Sequence, residues 1–360
     1  VPSSDFLKSF YVPRNFDLAM ARGPADPVRE VFYGNSNFVG SGAGGGQFGL
    51  VNASRLGMAR QIAEGLDCSC QSFFGEQNVS VVGLSPTDYD GRLILTEGWG
   101  ADANGVATFG GRFLVSLQSG GRLSFTPDRP WNRFSFYWPQ APIANRALTV
   151  RVDEKIIDVI DQCGPEKLQS RSYATEGLGQ SISFAADGDG VAYVIGVVAR
   201  QSLSGQSEAF LGAACGVGSN YLAAENHPWS PLNVVRRINP DRIHIYEMIN
   251  DCNFGFPADL FQKNMEAILQ ACPNADIVFY VSYPGGASAS ATNGLYDSYK
   301  RVMMNLLHDI GGGGIIDCRS VLGSSNARAA SNGFRFDDDH PSLAGHTAVA
   351  RHALNILRPK

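Results

Sequence analysis

Val31-Phe32-Tyr33-Gly34-Asn35-Ser36-Asn37 is the end of a short β-type run, begun at Arg29, that stops at a glycine and delivers a serine at once. Downstream, Leu50, Val51, Leu56, Met58, Ile62 and Leu66 stand with Ala and Arg between them, so Leu50 to Leu66 reads as an amphipathic helix. Ser36 therefore occupies a strand-to-helix turn. From Phe210 onward the same alternation returns. Leu211 to Cys215, Arg242 to Ile249, Ile277 to Ser282 and Ile315 to Asp317 read as strands; Leu232 to Ile238, Ala258 to Cys272, Leu295 to Ile310 and Ser342 to Leu357 read as helices. This β-α order predicts an α/β fold, a parallel sheet with helices on both faces.

Between these two parts the character changes. Short alternating or β-branched runs at Arg92 to Thr96, Arg112 to Leu117, Arg122 to Thr126, Arg133 to Trp138, Ala147 to Asp153, Gln180 to Ala185 and Val191 to Ala199 are separated by turn clusters such as Gly120-Gly121 and Asp187-Gly188-Asp189-Gly190. They predict an inserted antiparallel β-sandwich of jelly-roll type over residues 71–200, interrupting a hydrolase-like domain made of 29–70 and 201–360. Residues 1–28, with Pro2, Pro13, Pro24 and Pro27, predict an extended lead-in. The run Gly40-Ser41-Gly42-Ala43-Gly44-Gly45-Gly46 reads as a flexible loop; no Gly-Lys-Ser/Thr follows to make it a phosphate cradle.

The chain has 360 residues, 44% of them apolar and 18% charged, the profile of an ordinary globular protein. A net charge of -5 with scattered basic residues argues against nucleic acid as a partner. No apolar run approaches the length that spans a bilayer, so no membrane partner is expected. The chain opens on Val1, and localisation is not readable from that terminus. Cysteines 68, 70, 163, 215, 252, 272 and 318 lack CxxC pairs and zinc-spaced histidines; most read as small buried residues, and no metal or other cofactor is expected.

Chemistry concentrates in Asp337-Asp338-Asp339-His340-Pro341, just before the last helix. An Asp three residues before a His can orient the imidazole as a general base, and Ser36 supplies a nucleophile for it. Glu247-Met248-Ile249-Asn250-Asp251 adds an amide donor at another strand end, and Gly216-Val217-Gly218-Ser219 a glycine-containing turn at a third. All four stretches follow strands, on the rim where open α/β sheets collect their sites.

Together these stretches resemble the SGNH (GDSL-type) hydrolases over residues 29–66 and about 205–358, which implies a flavodoxin-like sheet and a serine esterase. The resemblance implies Ser36 as nucleophile, His340 as general base and acid, and Asp337 as the group orienting it. Asn250, the Ser36 amide and Gly218 or Ser219 would form the oxyanion hole, with the choice between the last two open. Asn35 departs from the usual Asp, and Met248 from the usual Gly.

The inserted β domain makes the pattern similar to phage tail deacetylases and viral haemagglutinin-esterases. It implies an O-acetylesterase acting on an acetylated glycan or polysaccharide, extracellular or on a virion surface. Trp99, Trp131 and Trp138, with Tyr137, are candidate sugar-stacking residues there, against a reading as core. A lipase or thioesterase of the same mechanism is the first alternative, and a non-catalytic glycan-binding adsorption module the second. Oligomeric state stays open, a homo-oligomer included.

Overall fold

The computed structural model describes residues 8–22, 26–102, 107–142, 147–201, 207–282 and 289–358. Its centre is a seven-stranded sheet ordered Phe10–Val12, Gly313–Asp317, Asp276–Val281, Arg242–Tyr246, Arg29–Gly34, Ser207–Leu211, Cys68–Ser69. Neighbours from Gly313–Asp317 to Cys68–Ser69 all pair in parallel. Apolar residues fill both faces of these strands, as a sheet covered on two sides requires: Val31, Tyr33, Ile243 and Ile245 pack into one core, Phe32, Tyr246, Val278 and Tyr280 into the other.

The lead-in corrects the expectation of an extended surface segment. Phe10–Val12 pairs antiparallel with Gly313 to Ile315 and forms an edge of the sheet. The chain is pinned there by Asp276, whose carboxylate accepts from the Tyr11 hydroxyl (2.8 Å) and from the backbone N–H groups of Arg14 (2.9 Å) and Asn15 (2.8 Å). The expected helix over Leu50 to Leu66 is also broken, into Ala53–Leu56 and Met58–Gly65, because extended Gly57 separates them. A Cβ at Gly57 would come within 2.9 Å of the Gly40 Cα, so this close crossing needs glycine. The strand expected at Leu211 to Cys215 lies earlier, at Ser207–Leu211.

The intervening region holds two larger antiparallel sheets and two small ones, the small ones made of Ala192–Val194, Leu114–Ser116 and Trp99–Ala101 and of Ala107–Thr108 and Gly111–Arg112. One of the larger is ordered Lys155–Asp161, Ala147–Val152, Ile182–Asp187, Arg122–Phe125, Leu93–Leu95; the other Lys167–Gly179, Trp131–Gln140, Gly196–Arg200, Ser72–Phe74. Phe134, Phe136 and Trp138 from the second share a core with Leu123, Phe125, Val150 and Phe184 from the first. All seven cysteines are free thiols, with Cys163 alone exposed. Among the described residues no helix is long and apolar enough to cross a membrane.

Two buried polar ties lock the parallel sheet. Glu30 receives Arg242 bidentately (2.7 and 3.0 Å) and His244 Nε2 at 2.8 Å, joining the strand before Ser36 to the strand before Asn250. Burial pushes the Glu30 carboxyl up, but the Arg242 and His244 contacts outweigh it and bring it down to about 2. His346, on the last helix, accepts the Met58 N–H at Nδ1 (3.2 Å) and faces the Ser41 carbonyl with Nε2 (2.8 Å), which makes Nε2–H the donor.

Burial lowers the His346 pKa from 6.5 to about 4, against the pull of the Ser41 carbonyl. Below pH 6.5 the unfolded chain takes up a proton that the folded one refuses, so this contribution is full above 6.5 and lost on the way to pH 4. The loss is on the order of 3 kcal/mol. His346→Leu should therefore show a shallower fall in Tm between pH 6.5 and 4 than the wild type, measured by thermal unfolding; parallel curves would contradict the assignment.

Candidate active site

Strand Arg29–Gly34 ends where it must. A Cβ at Gly34 would collide with the Tyr246 carbonyl oxygen on the neighbouring strand, so only glycine lets the two strands stay paired to this point. Asn35 then caps the four-residue helix Ser36–Val39, its Oδ1 accepting from the Asn37 N–H at 3.0 Å. The turn bond thus persists with Asn in place of Asp. At the first helical position the Ser36 N–H has no acceptor within the helix.

Ser36 Oγ lies 2.8 Å from His340 Nε2. His340 Nδ1 lies 2.8 and 2.9 Å from the two oxygens of Asp337. The depressed Asp337 carboxyl can only accept, which places the imidazole proton on Nδ1 and leaves Nε2 to receive the serine proton. Burial works against the Asp337 charge, but His340 and the backbone N–H groups of Asp339 and His340 outweigh it and hold the carboxyl below the usual range. Asp338 is engaged by Arg335, and it is the Asp337 carboxylate that meets the imidazole. Ser36 is buried and His340 is 16% exposed, which keeps the pair reachable from solvent yet partly dry.

The second and third turns are tied together. Asn250 donates from Nδ2 to the Val217 carbonyl at 2.6 Å, leaving the second hydrogen of that amide for another acceptor. Ser219 donates its backbone N–H to Asp251 at 2.7 Å, and its hydroxyl accepts from Asn264 at 2.8 Å. With its amide spent on Asp251, Ser219 cannot also donate to a substrate oxygen. Gly218, extended at φ -107 and ψ -178, is the residue of this pair left to do so. The Asn35 N–H donates to Tyr246 (3.2 Å) and the Ala214 N–H to Gly34 (2.9 Å), so the three turns meet at the ends of adjacent parallel strands.

Of the two readings offered for Trp99, Trp131 and Trp138, sugar-stacking surface or core, the structure gives the core. They are 8%, 0% and 4% exposed and belong to the core between the antiparallel sheets, and Tyr137 is buried too. Trp131 and Trp138 stand on the strand whose inward face is largely aromatic, and Trp138 stacks on Phe136 with centroids 4.7 Å apart. The glycine-rich loop is likewise less free than its composition suggests. Gly42, Gly44 and Gly45 donate to Phe48, Gly49 and Val51, and Val51 donates back to Gly45. Among the described residues no cluster of three His, Cys, Asp or Glu could hold a metal ion.

Glu247 is the polar residue that its sequence does not announce. It is fully buried beneath these turns, and burial together with the negative Asp251 pushes its carboxyl well above the usual range. The Asn35 amide and the N–H groups of Asn250 and Asp251 surround it and favour its charge, yet neither carboxyl oxygen completes a well-formed hydrogen bond. A neutral side chain at position 35 suits a neighbour of this kind. Asn35→Asp would place another carboxylate against Glu247 and Asp251 and should cost about 1–3 kcal/mol of stability, read as a lower midpoint in urea; an unchanged midpoint would contradict this account of the departure from Asp.

No known family profile matches the chain, and no curated protein matches its sequence. Among solved structures, one shares its fold over nearly the whole chain. A peptidoglycan O-acetylesterase superposes with a TM-score of 0.67 over 94% of this chain and 93% of its own, at 12% identity. An acetylxylan esterase from Geobacillus stearothermophilus matches 43% of this chain and 74% of its own, at 20% identity and a TM-score of 0.36.

Proposed function

We propose that this chain is a serine esterase of the SGNH type that hydrolyses O-acetyl esters on a carbohydrate or polysaccharide. One observation carries the reading: the hydrogen-bonded series Ser36, His340, Asp337 at the carboxyl end of a parallel sheet, beside a half-exposed amide, Asn250. A serine hydroxyl becomes nucleophilic when a base removes its proton during attack, and His340 Nε2 is placed to do so.

Ser36 Oγ attacks the acetyl carbonyl carbon as its proton moves to His340 Nε2. Asp337, facing Nδ1–H, stabilises the imidazolium. The negative oxygen of the tetrahedral intermediate is received by the second Asn250 N–H and the backbone N–H groups of Ser36 and Gly218. Collapse breaks the bond to the sugar oxygen, which takes the proton from Nε2 and leaves. Water then attacks the acetyl-serine, giving its proton to His340, and acetate departs as Ser36 recovers its hydrogen.

The substrate class rests on the likeness of the whole chain to an O-acetylesterase of peptidoglycan, which favours an acetylated glycan over a lipid or thioester. An extracellular or virion-surface location accompanies such a substrate. We read the two larger antiparallel sheets as a jelly-roll-type insert; their shared aromatic core supports this, while the buried tryptophans argue that the insert shapes the molecule and does not grip sugar with those rings.

Acetate release from an O-acetylated glycan tests the proposal. Ser36→Ala should abolish turnover, Asn250→Ala should lower kcat on the order of 10²- to 10³-fold, and Asp337→Asn on the order of 10⁴-fold by losing the tautomer. A folded wild type that binds glycan and releases no acetate would replace this reading with the adsorption module.

A further inference from the structure

The chain has 21 phenylalanines, and among the described residues three expose their side chains: Phe48 (38%), Phe254 (52%) and Phe336 (45%). Scattered exposed apolar residues are normal on a protein surface. These three are not scattered. Phe48 follows the glycine-rich loop behind Ser36, Phe254 ends the short helix that carries Asn250, and Phe336 immediately precedes Asp337.

Their placement is fixed by the backbone around the site. The Gly42 N–H donates to the Phe48 carbonyl at 2.9 Å, and a Cβ at Gly42 would lie 2.8 Å from the Phe336 Cβ, so both phenylalanines flank one glycine. The Phe336 N–H donates to the His340 carbonyl at 3.0 Å. On the other side Phe254 pairs with Phe256, ring centroids 5.6 Å apart, and the Phe256 ring comes within 3.2 Å of a Cβ built on Gly218. Aromatic residues therefore stand on the His340 side and on the Gly218 side.

Resting on the esterase reading above, we propose that Phe336 and Phe254, with Phe48 beside the first, are the saccharide-contacting walls of the cleft, their rings stacking on the C–H faces of pyranose rings of the acetylated strand. An acetyl group is one methyl beyond its carbonyl, so when that carbon meets Ser36 nothing of it extends outward. Exposed rings on both sides of the site can touch only the alcohol portion, which is sugar. Aromatic rings present an apolar face with a negative quadrupole to the weakly positive C–H hydrogens of a pyranose. The chain thus takes its stacking surface from loops of the α/β half, and Trp99, Trp131 and Trp138 stay in the core.

The test compares Phe336→Ala, Phe254→Ala and Phe336→Trp with the wild type on an O-acetylated peptidoglycan fragment and on ethyl acetate, which has no ring to stack. Each alanine variant should raise KM on the glycan fragment about 3- to 10-fold, leave ethyl acetate turnover unchanged, and be rescued at position 336 by Trp. An equal loss on both substrates would show that the rings hold the site together and would overturn the proposal. So would a loss confined to esters of longer acids, which would make them acyl walls. Calorimetric binding of the same fragment to Ser36→Ala protein, with and without the ring changes, separates the two readings. Weaker binding on ring removal supports the walls even if the wild type releases no acetate, and unaltered binding overturns them even if it does.

Discussion

The 2.8 Å approach of Ser36 Oγ to His340 Nε2 joins positions 304 residues apart, and much of the architecture can be understood as what that contact requires. A serine after the Arg29–Gly34 strand and a histidine before the last helix can meet only if both chain ends reach one rim of one sheet. Parallel pairing provides this, because every strand then delivers its following turn to the same edge. The antiparallel sheets leave after Cys68–Ser69 and return at Ser207–Leu211, which pair with each other at one edge of the sheet, the second of them directly beside the strand that delivers Ser36. A large insertion is therefore tolerated without moving the serine.

Precision on the rim comes from buried polar contacts just below it. Glu30 clamps Arg242 and His244, holding the two central strands in register, and His346 bolts the last helix to the segment around Ser41. Such groups are costly inside a protein unless they are paired, and removing one partner leaves the other stranded. Glu247 is the exception in this layer. Its carboxyl lies among donors without closing on them, and the uncharged Asn35 above it is the compensation that the rest of the site makes.

How much of this could be read from residues alone depended on where the signal was apolar and periodic. The α/β alternation after Phe210 was legible because strands buried on two faces are nearly continuous apolar runs. Ser36 and Asn250 could be singled out because each follows such a run, and Asp337 and His340 because they stand three apart just before the last helix. The Phe10–Val12 strand was not legible, since three residues between prolines carry no period and its place is set by Asp276 from far along the chain. Lys167–Gly179 was missed for a similar reason: a thirteen-residue strand that is mostly polar and exposed has no alternation to betray it. The tryptophans left two readings open because flat rings look alike whether they face sugar or phenylalanine, and only burial separates the two. That the Ser219 amide is engaged by Asp251, which leaves Gly218 as the candidate donor, rests on one hydrogen bond that no spacing encodes.

The whole account stands on Ser36 being an activated nucleophile, which can be measured without knowing the glycan. Incubation with a fluorophosphonate, followed by mass mapping of the modified peptide, reads activation directly, because an ordinary serine hydroxyl is inert to it. The expected result is a single adduct on Ser36 in the wild type, and none in His340→Ala under the same conditions. Labelling of another residue, or no labelling of a correctly folded wild type, would contradict the account.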